Sequence, residues 1–270
     1  MIKSLWTIIW KPLSFFILWA ILYSPFVVLL APRVENTALN IRLYFDATGA
    51  LTILFAAYVM VRFVERRSFI TLGFAPTHFV RDFALGLIIG ILWLVVSLVI
   101  LWLFGWITPQ FTGQLNTSAL FFAAFAMILN TIIQEVLARG YIFQTIQSQS
   151  NATWAVIVTS IIFVLYHAAG LQDNWLPAIN IFCAGVLFGV AYYQTGNLWL
   201  PIAIHFAWNF LLGPVLGLSV SGQDLSNSWH IFTLQGPPLL TGGTFGVEGS
   251  LVVTVITLLA VPVLLKQFPR

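Results

Sequence analysis

The sequence predicts an all-α polytopic membrane protein, and three observations carry that prediction. Of the 270 residues, 60% are hydrophobic and only 7% are charged, whereas soluble domains carry about 25% charged residues. The mean hydropathy is +0.98. Eight apolar runs are long enough to cross a bilayer as helices, at roughly 13–31, 44–63, 83–107, 117–146, 152–169, 175–194, 198–218 and 249–265.

The first apolar run is expected to be a retained span rather than a signal peptide. It is about 20 residues long, whereas the apolar core of a signal peptide has about 7–15. Pro32-Arg33-Val34 follows it without a small-x-small cleavage pattern. No repeat or soluble segment interrupts the sequence. We therefore treat 1–270 as a single membrane domain.

The basic residues predict the orientation of the spans. With a cytoplasmic N-terminus, eight of them fall inside: Lys3, Lys11, Arg62, Arg66, Arg67, Arg81, Lys266 and Arg270. The charged residues that fall outside are Arg33, Arg42, Glu35, Asp46, Asp173, Asp224 and Glu248. This asymmetry predicts that both termini are cytoplasmic. The net charge is +3, but the Lys and Arg residues form no basic run that could follow the phosphates of a nucleic acid. The expected partner is therefore the lipid bilayer.

Two charged residues lie inside the fourth apolar run, within Gln134-Glu135-Val136-Leu137-Ala138-Arg139-Gly140. A charge at the centre of a membrane helix costs about 2.5–3.5 kcal/mol, and such groups usually face a bundle interior with a partner. Glu135 and Arg139 are four residues apart, which places them on one helical face as an ion pair. We therefore expect the functional site in this segment.

Two later spans carry polar residues that can reach the same depth. His167 and Glu135 lie about equally far from the turn between the fourth and fifth spans, roughly 22–24 Å at 1.5 Å per residue. His205 and Asn209 lie one helical turn apart in the seventh span, roughly 13–20 Å from its preceding turn. Three helices can therefore present an acid, two imidazoles and an amide to one intramembrane cavity.

These residue types allow more than one chemistry. Glu135 with His167 suits activation of water, and His205 with Asn209 suits hydrogen bonding to an oxyanion, as peptide hydrolysis requires. Alternatively, Glu135, His167 and His205 are the ligands of a His₂Glu zinc site, although no HExxH motif occurs. A third alternative is purely structural: interhelical hydrogen bonds, or the lining of a transport pathway.

The ordered set of motifs resembles the CAAX protease and bacteriocin-processing (ABI) family of intramembrane endopeptidases. The matching motifs are Gln134-Glu135-x-x-x-Arg139-Gly140, Phe163-x-x-x-His167 and His205-x-x-x-Asn209. Segments 68–74 and 192–199 are similar to family segments as well, so the resemblance covers about 68–265. The two spans within 1–67 match only in being hydrophobic.

The resemblance implies an eight-helix membrane protease that needs no cofactor and acts on a membrane-associated protein or peptide, such as a prenylated CAAX protein. It implies a prokaryotic plasma membrane location. It also implies that His167 assists a general base, that His205 and Asn209 bind the oxyanion, and that Glu135 and Arg139 form a supporting ion pair.

Position 134 departs from the family pattern. The family motif begins Glu-Glu, and its first glutamate serves as the base, whereas this chain has Gln134. A neutral amide cannot take a proton from water. Three explanations follow: Glu135 takes over as the base, the chain is a catalytically silent scaffold or immunity factor, or the residue was replaced deliberately.

Overall fold

The computed structural model describes residues 4–30, 38–110, 116–171, 175–223 and 232–267. Several residues used to predict the orientation lie outside this described part: Lys3, Arg33, Glu35, Asp173, Asp224 and Arg270.

Apolar helices appear at all eight predicted positions in the described residues. Five are long and apolar enough to cross a membrane: Leu5–Leu30, Leu39–Val64, Phe79–Leu103, Thr117–Gln149 and Trp175–Thr195. Three apolar helices are shorter: Ala152–Tyr166, Trp199–Val215 and Leu251–Gln267. The predicted all-α polytopic membrane fold is therefore confirmed.

The α-helices of the described residues are numbered in chain order. They are α1 Leu5–Pro25, α2 Ala38–Val59, α3 Phe79–Leu103, α4 Thr117–Glu135, α5 Gln144–Gln149, α6 Ala152–Tyr166, α7 Ala168–Leu171, α8 Trp175–Thr195, α9 Trp199–Phe210, α10 Pro238–Thr241 and α11 Leu251–Gln267. Wider π-helical turns occupy Phe26–Leu30, Met60–Val64, Val136–Phe143 and Leu211–Val215. Short 3₁₀ turns occupy Phe69–Leu72, Gly243–Phe245 and Val247–Gly249.

Local side chains explain where several helices begin. Ser4, Asn116 and Asn151 each accept a hydrogen bond from the backbone N–H three residues later, at 3.2, 3.0 and 3.0 Å respectively. Such caps satisfy one of the N–H groups that the first helical turn leaves unpaired. The caps therefore fix the starting points of α4, which ends at Glu135, and of α6, which His167 follows directly.

The helices pack into two apolar cores. One joins α1, α2, α5 and the π-helical turn after α4, and the other joins α3, α8, α9 and α11. α3 makes its most extensive contact with α9, and the contact depends on Gly86 and Gly90. A Cβ at Gly86 would lie 2.6 Å from the Leu200 carbonyl oxygen, and one at Gly90 would lie 2.6 Å from that of Ile204. These glycines let α9, which carries His205 and Asn209, approach α3 closely.

A small antiparallel sheet was not predicted. Strands β1 (Ile107–Pro109) and β2 (Phe232–Leu234) pair with Ile107 opposite Leu234. Runs of three residues carry too little alternation for a sequence pattern to identify them. The sheet ties the segment after α3 to the segment before α10.

Two of the acidic residues that the orientation argument counted as outside are held within the packed structure. Asp46 is a buried residue of α2, 6% exposed. Glu248 is partly buried in the 3₁₀ turn before α11 and accepts hydrogen bonds through its carboxylate. A charge count cannot distinguish a solvated carboxylate from one that donors hold inside the protein, and the side of the membrane on which these two residues lie stays a prediction.

Candidate active site

Glu135, the last residue of α4, lies at the centre of a buried ionic network. Its Oε1 is 3.2 Å from Arg139 Nη1 and accepts a hydrogen bond from His205 Nδ1 at 3.0 Å. Arg139 Nη2 also donates to the main-chain oxygen of Gly185 at 2.9 Å. Glu135 and Arg139 are both 0% exposed. The network therefore joins α4, the following π-helical turn, α8 and α9.

Aromatic rings enclose this network. The Arg139 guanidinium lies 4.6 Å from the ring centroid of Phe163 and 5.5 Å from that of Phe188. The His205 ring stacks on Phe188 with a centroid distance of 4.8 Å. A cation over aromatic faces gains attraction from the ring quadrupoles in this low-dielectric setting.

Gln134 has a different environment, although it is the neighbour of Glu135. Its Nε2 donates to Asn130 Oδ1 at 2.7 Å, and Asn130 Nδ2 donates to Asp46 Oδ1 at 2.8 Å. An ionised carboxylate only accepts hydrogen bonds, so Asp46 determines which way both amides point. An ionised carboxylate at position 134 would place one hydrogen-bond acceptor opposite another, Asn130 Oδ1, and the bond between the two side chains would be lost. The chain of donors and acceptors therefore suits glutamine.

Gln134, His167 and Asn209 line one cavity of about 180 Å³, which we call the polar cavity. Arg42 and Asn130 contribute to its wall together with Tyr166, Ala169, Gly170, Val220, Ser221 and Gln223. A water needs about 10–15 Å³ of such volume, so the polar cavity has room for water and for part of a substrate. One residue of each sequence motif therefore contributes to the same cavity.

His167 caps the C-terminal end of α6. Its Nδ1 lies 2.8 Å from the main-chain oxygen of Phe163. Because a carbonyl oxygen can only accept, Nδ1 must carry the proton, and Nε2 of the neutral ring is left as an acceptor. His167 is therefore able to accept a hydrogen bond from a water in the polar cavity.

A smaller cavity of about 40 Å³ adjoins the polar cavity, and we call it the aromatic cavity. His167, Asn209 and Ser221 line both cavities and form their common wall. His205 and Glu248 line only the aromatic cavity of the two. Its remaining wall consists of Trp93, Phe163, Asn180, Ile181, Ala184, Phe188, Trp208 and Val253.

The predicted site residues thus divide into two groups. Gln134, His167, His205 and Asn209 each line at least one of the two cavities, whereas Glu135 and Arg139 line neither. The expected meeting of Glu135 with His167 does not occur as a bond, because the imidazole that bonds Glu135 belongs to His205. Equal distance from the turn brings two residues to the same depth in the membrane, but it does not determine the direction in which each side chain leaves its helix.

The residues present do not fit the zinc alternative. In the described residues, no three His, Cys, Asp or Glu side chains are grouped as a metal site requires. The proposed ligands Glu135, His167 and His205 therefore do not form a His₂Glu set, and Glu135 Oε1 is already engaged by Arg139 and His205. We derive no step through a metal.

Sequence reasoning missed four polar residues of the site. Asp46 and Asn130 orient Gln134, while Trp208 and Glu248 form a hydrogen bond beside the aromatic cavity. A buried charge in a span was an available signal for Asp46. No local pattern distinguishes Glu248 from an ordinary loop glutamate.

Comparison with known proteins supports the family that the motifs resemble. The family model described as type II CAAX prenyl endopeptidase, Rce1-like, matches residues 116–211. The match contains all three motifs, from Gln134 to Asn209, and excludes α1, α2 and α3. No curated protein matches the chain.

Proposed function

We propose that the chain hydrolyses a peptide bond in a membrane-associated, prenylated substrate, as the match of residues 116–211 to the family model of type II CAAX prenyl endopeptidases suggests. The observation that supports this most strongly is the convergence of Gln134, His167 and Asn209 on the polar cavity. These residues come from three helices and from three separate motifs.

The geometry suggests how the attacking water is held. His167 Nε2 accepts one hydrogen of the water, because Nδ1 is committed to the Phe163 carbonyl. Gln134 Oε1 has no partner among the described residues and is the only hydrogen-bond acceptor of that side chain. Gln134 therefore helps to position the water. Another group must take the proton from that water.

Asn209 and His205 stabilise the oxyanion in this proposal. Asn209 donates from its amide, and His205 donates from Nε2 when both ring nitrogens are protonated. The bond from His205 Nδ1 to Glu135 fixes the orientation of the ring. Glu135 and Arg139 are then positioning residues, which act through His205 and not on the substrate.

A second candidate function is a catalytically silent scaffold that binds a hydrophobic peptide. The observation that favours it is the fit of Gln134 into the chain from Asp46 through Asn130. Such a protein would use the same cavities for binding alone.

Cleavage of a defined peptide distinguishes the two functions. The protein is placed in lipid vesicles with a farnesylated peptide that ends in a CAAX sequence, and products are measured by mass spectrometry. We expect release of a short C-terminal peptide, loss of that product in His167→Ala, and weaker cleavage of the unprenylated peptide. Binding of the farnesylated peptide without any product would favour the scaffold.

We also propose that both termini face the cytoplasm of a prokaryotic cell. Single cysteines at Arg67, which is partly exposed, and at Leu239, which is exposed, test this orientation in intact cells. A membrane-impermeant thiol reagent should label Leu239→Cys and leave Arg67→Cys unlabelled. The reverse pattern would contradict the proposed orientation.

A further inference from the structure

Carboxylates are scarce where the proposed chemistry needs one. The described residues contain five acidic side chains: Asp46, Glu65, Asp82, Glu135 and Glu248. Of these five, Glu248 alone lines either cavity. Asp46 and Glu135 lie behind the walls and bond to lining residues, Asp46 to Asn130 and Glu135 to His205.

Glu248 is held firmly at its place in the wall. Trp208 Nε1 donates to Oε1 at 2.7 Å, and the Ser221 main-chain N–H donates to Oε2. Asn180 Nδ2 donates to the main-chain oxygen of Glu248 at 2.7 Å and holds the turn. The Ser221 side chain also hydrogen-bonds to this carboxylate. An ionised carboxylate has about four lone-pair sites, so these three bonds leave capacity for one water.

Glu248 shares the aromatic cavity with His167 and Asn209, and the cavity has room for water. About 40 Å³ accommodates roughly three waters at 10–15 Å³ each. Glu248, His167 and Asn209 all line this volume. Waters in this cavity would therefore connect a water at His167 to the Glu248 carboxylate.

We propose that Glu248 is the general base of this chain and supplies the function that Gln134 cannot. This rests on the proposed peptidase function. The Glu248 carboxylate accepts a proton as the water oxygen bonds to the scissile carbonyl carbon. The C–N bond then breaks, and the proton passes to the leaving nitrogen. Water and peptide give a carboxylic acid and an amine, so no other reactant is consumed.

The surroundings of Glu248 suit this role. Burial raises the pKa of the Glu248 carboxyl above its usual value, although the bonds from Ser221 and Trp208 oppose the shift. A general base works best when its pKa lies near the working pH. Glu248 lies outside the residues that match the family model, so the family motifs alone do not identify it.

A double-mutant comparison with the farnesylated peptide tests the proposal. Four proteins are assayed in vesicles: the natural chain, Glu248→Gln, Gln134→Glu and the double variant. We expect Glu248→Gln to lower kcat about 10²–10⁴-fold in the natural chain. In the Gln134→Glu background, Glu248→Gln should lower kcat by less than about tenfold, because position 134 then carries a base.

Glu65→Gln is the matched control. Glu65 also accepts two hydrogen bonds, from Lys11 Nζ at 2.7 Å and from the Tyr141 hydroxyl at 3.3 Å, but it lines neither cavity. Its replacement should leave kcat unchanged. Thermal unfolding of every variant in detergent identifies those that have lost their fold, and Glu248→Asp provides a second variant that retains the carboxylate.

Three results would overturn the assignment. Equal losses from Glu248→Gln in both backgrounds would show a structural role, and no loss in the natural chain would make His167 the base by itself. Cleavage by Gln134→Glu but not by the natural chain would reject Glu248 and keep the proposed peptidase scaffold. If neither protein cleaves the peptide, the proposed function fails and the assignment of Glu248 falls with it.

Discussion

Gln134 and Glu135 are consecutive residues with opposite roles. Glu135 is fully buried against Arg139 and His205, whereas Gln134 lines the polar cavity and bonds to Asn130. Neighbouring positions of a helix point about 100° apart, so one turn of α4 can serve two environments. The comparison teaches that the charged pair most visible in the sequence holds the helices together, while the chemistry depends on less conspicuous residues beside it.

The largest expected effect is on stability, from removal of the cation in the ionic network. Arg139→Met would leave the Glu135 carboxylate buried without its cation, and His205 would be its remaining hydrogen-bond partner. Breaking a buried ion pair in this way typically costs about 3–5 kcal/mol. Denaturant unfolding in mixed micelles measures the loss. Lys11→Met, which breaks the partly exposed pair with Glu65, should cost at most about 1 kcal/mol.

A loss for Arg139→Met no greater than that for Lys11→Met would mean that the buried network does not support the fold. The distinction between positions 134 and 135 would then lose its basis.

His205 and Asn209 sharpen the comparison, because they lie one turn apart on α9 and only His205 bonds to Glu135. Removing one oxyanion donor typically lowers kcat about 10²–10³-fold, equivalent to about 2.7–4 kcal/mol. We expect a loss of this size for Asn209→Ala without a fall in melting temperature. His205→Ala should lower both the rate and the melting temperature. Identical stability of the two variants would contradict a separate role for His205 in the network.

A smaller effect is expected where α3 supports α9. In Gly90→Leu the new side chain would meet the Ile204 carbonyl oxygen and the Ala207 methyl, which lie 2.6 and 2.8 Å from the position of a Cβ. Overpacking of this kind typically costs about 1–3 kcal/mol. Gly140→Ala is the control, since its Cβ would find its nearest neighbour at 3.6 Å. Equal unfolding free energies for the two variants would show that α9 does not depend on this close approach.

Much of the fold could be predicted because membrane helices must satisfy their backbone hydrogen bonds internally, which makes apolar runs a strong signal. The π-helical turn at Val136–Phe143 could not be predicted, since no residue there forces a wider turn. Such turns are frequent at functional sites. Here the turn follows Glu135 directly and carries Arg139.

The candidate site was predictable in its membership more than in its contacts. Spacing and motif order predicted that polar residues of three helices would converge, and the cavities are lined by Gln134, His167, His205 and Asn209. The ion pair of Glu135 with Arg139 followed from their spacing, whereas the bond from His205 to Glu135 was not predictable, because it depends on the rotation of α9 about its axis. Glu248 required the tertiary structure, since it reaches the aromatic cavity from a turn far along the chain.

The central claim is that a peptide substrate occupies the polar and aromatic cavities. Site-specific photocrosslinking tests this claim most directly. The photoreactive residue p-benzoylphenylalanine replaces Ala169, which lines the polar cavity, or Leu165, which is 67% exposed and lines neither cavity. With a biotinylated farnesyl peptide in vesicles, we expect a crosslink from position 169 that excess unlabelled peptide abolishes. Position 165 should give no crosslink that the competitor reduces. Equal, competitor-sensitive crosslinking at both positions, or none at position 169, would contradict the account.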